Sequence, residues 1–374
     1  MRAALFLVFA VSGFAQTAAR DALIKQADQA LRLPAASVMD KKAKPPSGDK
    51  HDYMSVGPYW WPDPSKPDGL PYIRKDGETN PSRVDDQTDN AAFKKLLGAV
   101  PTLILAYKET GREEYAEHAA KLLRVWFLDP GTKMNPNLNY GQAIPGRMDG
   151  RGIGIIDTAG LLEVTQELPF LEKSSAWTQA DREGMKVWLA QYCEWMQTSK
   201  NGKEEAAAKN NHGTWYDVQL TALAEFTGQN DLARRVVEEA KSKRIAAQIQ
   251  PDGKMPLELE RTNSLSYTTM NTRAFCNLAD LAAKVGVDLW NYQTADGRGI
   301  RKAIDFLAPY ADPAKDWTFE QIGGVKMSSR IDIAVLLRRA ALAYKDPRYE
   351  AMLAKLPVEE VQSNRMQILW GAKK

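Results

Sequence analysis

At 374 residues the chain is long enough for one large domain or two modest ones, and 44% hydrophobic residues suffice for a sizeable core. A net charge of +3 is too small to point to nucleic acid, so any anionic partner must be met by local charge. Two cysteines make no disulfide framework. Three scattered histidines, His51, His118 and His212, with no His-x-x-His or Cys-x-x-Cys pair, offer no metal site.

Arg2 precedes an apolar run from Ala3 to Val11, and Gly13-Phe14-Ala15 places small residues where a leader is cut. The run is too short to span a bilayer, and no later stretch is long or apolar enough. Residues 1–19 therefore read as a secretory signal and residues 20–374 as one exported domain, periplasmic or secreted, without membrane insertion. An amphipathic helix is expected from Asp21 to Leu33, then a polar, proline-bearing connector from Lys41 to Gly48. From His51 to about Asn90, proline, glycine and aromatic residues crowd together, as in Gly57-Pro58-Tyr59-Trp60-Trp61-Pro62-Asp63-Pro64. So much proline excludes a regular helix or central strand, and the clustered aromatics argue for an ordered, functional loop. Tyr59, Trp60 and Trp61 suit stacking on sugar faces, or equally a buried aromatic plug.

From Asn90 onward the pattern is helical almost throughout, and it repeats. A helix, a small turn and a second helix are written at Tyr107-Lys108-Glu109-Thr110-Gly111-Arg112 and again at Glu225-Phe226-Thr227-Gly228-Gln229-Asn230. Weaker versions stand at Gly286 and at Tyr344-Lys345-Asp346-Pro347, and Leu168-Pro169-Phe170-Leu171-Glu172 also breaks the pattern. These hinges are spaced about 57–60 residues apart, room for one pair of helices each. Stripes such as Tyr115/Ala119/Leu122/Trp126, Met185/Trp188/Tyr192/Trp195 and Met270/Ala274/Leu278/Leu281 supply the buried faces. Cys193 and Cys276 fall inside such patterns and read as buried free thiols, with a disulfide as the alternative. Stacked helical hairpins form an open solenoid or curl into an α/α toroid. Residues at one phase of the repeat share one end of the stack, which groups Asp89-Asn90, Asp149–Asp157, His212, Tyr267 and Ser328–Asp332.

Among these motifs, Lys209-Asn210-Asn211-His212-Gly213-Thr214-Trp215-Tyr216 stands upstream of the stripe Trp215/Val218/Ala222/Phe226. A helix should begin at or just after His212, with Asn210 and Asn211 at its N-terminus, where amides cap free N–H groups and anions are welcome. Arg261 and Tyr267 come one unit later. They read as a local ion pair and a core aromatic or, at their shared phase, as parts of one polar site with Asn211 and His212. The stretch from Asn135 to Gly154 resembles a dinucleotide fingerprint only superficially. A flexible loop offering Arg147 and Arg151 to successive carboxylates of a polyanion, with Asn139 beside them, is the better reading.

Amide, imidazole, guanidinium and phenol together suit β-elimination on a uronate. Removing the C5 proton piles charge onto the neighbouring carboxylate, and donors aimed there stabilise that charge as it develops. A phenol, ordinarily titrating near about 10, needs a cation beside it to ionise at working pH. Tyr267 could then take the C5 proton and return one to the departing O4 when both lie on one face. His212 would neutralise the carboxylate alongside Asn211, or act as base when the proton is on the other face.

At these residues the chain resembles the alginate lyase superfamily of α/α-toroid polysaccharide lyases. The carriers are the His51–Pro64 segment, the Asn135–Asp157 loop, Asn210-Asn211-His212, and Arg261 with Tyr267. The resemblance implies an all-α chain, an α/α toroid (an incomplete barrel of stacked helical hairpins) behind the proline- and aromatic-rich N-terminal loop. It implies an exported lyase of 4-linked uronate polymers, without cofactor. Asn211 and His212 would neutralise the carboxylate, Arg261 assist, and Tyr267 serve as acid and base. Tyr59, Trp60, Trp61, Asn139, Arg147, Arg151 and Asn210 would bind substrate. The six-residue step from Arg261 to Tyr267 is closest to polysaccharide lyase family 38, which implies alginate or glucuronan as the anionic polysaccharide. Two other readings use the same residues: a non-catalytic uronate-binding protein, and an α/α-toroid glycosidase built on Asp85, Asp86 or Asp157.

Overall fold

The computed structural model describes residues 2–371, with their side chains from Ala15 onward. The leader expected over residues 1–19 starts outside the described residues, as do the side chains of its apolar run. Among the described residues no helix is long and apolar enough to cross a membrane. The chain divides into two compact units, Gln29–Val236 and Met1–Asp28 with Val237–Lys374. They are called the central and the terminal unit below.

Helix α1 (Arg2–Ala30) covers most of the expected Asp21–Leu33 segment. The proline-rich stretch that follows has no long helix, yet it is not strandless. Short strands β1 (Met54–Val56), β2 (Trp60–Trp61) and β3 (Ile73–Arg74) occur there, β2 and β3 pairing antiparallel. β1 pairs in parallel with β4 (Tyr140–Ala143), which lies inside the glycine-bearing loop. Two or three residues per strand leave room for the prolines between them.

The rest of the central unit is helical hairpins. α2 (Asn90–Thr110) and α3 (Glu113–Leu123) meet at Gly111, whose φ of +72° only glycine adopts without strain. α4 (Leu161–Leu171) and α5 (Gln179–Thr198) form the second pair. The expected break over Leu168–Glu172 falls at its C-terminal end. The helix runs through the proline and stops after Leu171, since a proline in the last turn removes only one late hydrogen bond. A Thr178–Asp181 capping box opens α5. After the short α6 (Lys200–Ala206), α7 (Asn211–Thr227) and α8 (Asn230–Ala240) turn at Gly228, again left-handed at φ +83°.

The aromatic stripes meet in one ladder within this unit. Phe93 stacks on Trp126 at 5.0 Å, Phe127 meets Trp188 edge-on at 4.6 Å, and Trp188, Tyr192 and Trp195 continue it. α7 departs from expectation: from Gly213 to Ala224 every residue is buried, so it is a central helix and not a one-sided one. Some of its polar residues bond inside the core, as where Thr158 donates to Gln219 at 2.7 Å.

In the terminal unit α9 (Pro256–Leu259) precedes α10 (Ser264–Lys284), followed by α11 (Ile300–Leu307). α12 (Met327–Tyr344) and α13 (Pro347–Leu353) close the series at Lys345, left-handed at φ +52°. α14 (Val358–Gln362) and α15 (Met366–Leu369) end the chain's helices. Cys193 and Cys276 are free and buried, and burial pushes their thiols up to about 11 and about 12.

Candidate active site

In the central unit, the turn from α5 into α6 brings a carboxylate to the imidazole. Ser199 caps α6 by accepting from the Gly202 N–H at 2.9 Å. Gly202 is required there, because a Cβ would lie 1.7 Å from the Met196 carbonyl oxygen. This tight fold-back points Glu205 at His212, with Nδ1 and Oε1 2.7 Å apart and Glu205 almost wholly buried. Glu205 Oε2 has no hydrogen-bond partner among the described residues. A carboxylate on Nδ1 orients the ring and leaves Nε2 for other chemistry. Asn211, fully buried, is the first residue of α7, one position earlier than expected. Asn210 holds the N-cap position, but its side chain makes no capping bond.

The loop from Asn135 to Asp157 reaches the same place. The Gly152 N–H donates to Glu204 Oε2 at 3.3 Å, and a Cβ on Gly152 would lie 2.7 Å from the Glu204 Cβ. The loop expected to be flexible is stapled instead. A Cβ on Gly150 would sit 1.9 Å from the Asn139 carbonyl oxygen, and one on Gly154 would sit 2.4 Å from that of Gly141. These glycines serve close backbone approach.

Arg151 donates through Nε to the Gln142 carbonyl at 2.9 Å and through Nη2 to its side-chain oxygen at 3.2 Å. Burial, then the neighbouring Arg74 and Arg83, bring Arg151 down to about 10, still a full cation at neutral pH. Arg147 is exposed and donates to the Tyr72 carbonyl at 3.0 Å. Both guanidiniums lie within 6 Å of the Trp60 ring, 5.5 Å for Arg147 and 5.9 Å for Arg151. Trp61 is half-exposed, with Lys75 over its ring at 5.0 Å, and Tyr59 is half-exposed beside it. Asn139 is exposed and accepts from Trp195 Nε1 at 3.0 Å.

Asp157 is enclosed by donors. Arg83 reaches Oδ1 at 2.7 Å and Gln142 at 3.2 Å, while Ser55 and Tyr53 reach Oδ2 at 2.6 and 3.1 Å. Both of its oxygens are taken up by these four donors, Arg83 among them as an ion pair. Asp86 pairs with Lys42 at the surface, and Asp85 caps the Gln87 N–H.

In the terminal unit Arg261 and Tyr267 come together. Arg261 Nη2 donates to the Tyr267 phenol at 3.0 Å, and its guanidinium carbon sits 3.9 Å from the ring centroid. α9 ends at Leu259, and the Arg261 N–H bonds back to the Glu258 carbonyl at 3.3 Å. α10 then carries Tyr267 in its first turn, with its N–H bonded to the Asn263 carbonyl. A guanidinium on a phenol oxygen favours the phenolate, the form that can accept a proton.

Reading by residue pattern missed Glu205, Gln142, Arg83 and Gln321, which bonds around the start of α10. Only the Glu205–His212 spacing carried a usable signal, and it crosses a helix break that hides it.

A chain of helical hairpins carrying phenol, guanidinium, imidazole and amide at its helix starts is that of a polysaccharide lyase. The alginate lyase family model matches residues 37–317, and the chain belongs to that family. It is similar to an alginate lyase from Bacteroides ovatus, at 45% identity and a TM-score of 0.90, over 96% of this chain and 94% of that one. A variant of alginate lyase A1-III in complex with a tetrasaccharide matches at 18% identity and a TM-score of 0.59, over 92% of this chain and 89% of that one. Alginate lyase A1-III from Sphingomonas species A1 matches at 19% identity and a TM-score of 0.50, over 81% and 76%. The last two likenesses speak to fold alone, and the mostly helical chain is consistent with the α/α toroid of alginate lyases. A search of curated proteins finds no match.

Proposed function

We propose that the protein cleaves 4-linked polyuronates by β-elimination, leaving unsaturated uronate ends, with alginate as first substrate and glucuronan as second. The observation that carries this reading is the Arg261–Tyr267 pair, a phenol held at 3.0 Å under a guanidinium. The 45% identical Bacteroides ovatus alginate lyase supports alginate.

In this mechanism His212, its Nδ1 bonded to Glu205, and the Asn211 amide neutralise the uronate carboxylate. The C5 proton is thereby acidified. Tyr267, as phenolate, removes that proton and, once protonated, delivers it to O4 as the C4–O4 bond breaks. The C5–H electron pair becomes the C4=C5 double bond. Where the C5 proton lies on the opposite face, His212 as neutral imidazole takes it on Nε2 and Tyr267 as phenol gives its proton to O4. Arg147 and Arg151 meet carboxylates further along the polymer, with Tyr59, Trp60, Trp61, Asn139 and Asn210 contributing to the same binding. The leader reading makes the enzyme an exported one.

The test is a panel of polymannuronate, polyguluronate and glucuronan. New ends absorbing in the ultraviolet support the lyase and rank its substrates. Binding without such ends supports a non-catalytic uronate binder, and saturated ends support a hydrolase.

A further inference from the structure

We propose that Gln321 is a positioning residue that sets Tyr267 under the Arg261 guanidinium; the inference rests on the proton-transfer role given to that pair above. α10 starts without its own cap, since Asn263 at the N-cap position makes no side-chain capping bond. First-turn N–H groups nevertheless need partners. They find them in a strap, residues 317–322, far downstream in the chain.

The Ser264 N–H donates to the Glu320 carbonyl at 3.1 Å, and the Leu265 N–H donates to Gln321 Oε1 at 3.0 Å across 56 residues of sequence. The same amide turns its Nε2 to Asn263 Oδ1 at 3.2 Å and to Ser266 Oγ at 3.4 Å. The Ile322 N–H reaches the Thr262 carbonyl at 2.8 Å, and Trp317 Nε1 donates to Ser264 Oγ at 2.8 Å. Every residue between Arg261 and Tyr267 is therefore gripped by the strap, and one side chain grips three of the five.

The consequence is geometric. Tyr267 belongs to the helix and Arg261 lies outside it, so the 3.0 Å contact between them depends on the path of residues 262–266. An outside amide that caps the helix and ties the approaching chain holds that path. Releasing it moves the guanidinium off the phenol and weakens the phenolate.

The experiment measures kcat, KM and the pH dependence of polymannuronate cleavage for Gln321→Met and Gln321→Glu, with Tyr267→Phe as reference. Gln321→Met should lose about tenfold or more in kcat with KM within about threefold. Its ascending pH limb should move up by about half a unit or more, because a phenol deprived of its cation ionises later. Gln321→Glu keeps an acceptor for the Leu265 N–H but cannot donate to Asn263 Oδ1 or Ser266 Oγ, so its kcat should fall between those of Gln321→Met and the wild type. Wild-type kcat and pH limb in Gln321→Met overturn the proposal, and so does lost activity with the limb unmoved. If Gln321→Met does not fold, Asn263→Ala, which deletes the acceptor at 3.2 Å, is read by the same criteria. An active Tyr267→Phe sinks the proton-transfer reading itself. An inactive one beside an unaffected Gln321→Met sinks the strap alone.

Discussion

Glu205→Gln separates charge from shape at the imidazole. The carboxylate is almost wholly buried, 2.7 Å from His212 Nδ1, and its second oxygen has no partner among the described residues. Glutamine keeps the volume and one acceptor, so Nδ1–H can still donate. What disappears is the negative charge beside Nδ1. A hydrogen bond to a charged group contributes about 1.5–3 kcal/mol, against about 1 kcal/mol for a neutral one. The difference is roughly 0.5–2 kcal/mol, or about 2- to 30-fold in kcat/KM if it is realised in the transition state. An amide that presents its NH2 to Nδ1 would invert the tautomer and push the loss beyond that range. Stability should hold or rise, because a buried charge with one unpartnered oxygen has been removed. The assay is the rate of formation of ultraviolet-absorbing ends on polymannuronate, beside a thermal melt. Wild-type kcat/KM in a normally folded variant would refute the role given to Glu205, and an equal loss of Tm and activity would make it a packing residue.

Further expectations concern both units. Tyr267→Phe should lower kcat by about 10²–10⁴, leave KM within a few-fold and leave the melt unchanged; steady-state kinetics on the best panel substrate decides. Asp157→Asn strips the partner from a buried Arg83 and should cost about 3–5 kcal/mol, read by denaturant unfolding, while kcat per folded molecule persists. If kcat collapses with stability intact, Asp157 is catalytic after all. Burial alone would raise the Asp181 carboxyl, yet hydrogen bonds from Arg124 and Thr178 hold it at about 2. A folded-state value below the unfolded one contributes stability that is present above about pH 4 and lost as pH falls through about 2. Because Arg124 is partly exposed, screening reduces the contribution to about 1 kcal/mol. Asp181→Asn should flatten that acid-side loss in unfolding measured from pH 5 to pH 2, and an unchanged slope would refute the assignment.

Much of the architecture could be read from one dimension because helices write their packing locally. The stripe Tyr115/Ala119/Leu122/Trp126 is wholly buried, and the turns at Gly111 and Gly228 are left-handed, since periodicity and glycine act over a few residues. Local too was the pairing of Arg261 with Tyr267, six residues apart at a helix start. The amphipathic reading of α7 failed because a pattern cannot tell that a helix will be covered on every side. The flexible-loop reading failed for a related reason. Glycines look alike in sequence whether they free a backbone or let two backbones touch, and only Gly141 against Gly154 distinguishes the cases. Glu205 on His212, the four donors around Asp157 and the Gln321 cap on α10 are contacts between residues whose separation carries no periodic signature. Sequence sets what each short segment prefers to become; burial and hydrogen bonding between distant segments choose which carboxylate stays silent and which one holds the imidazole.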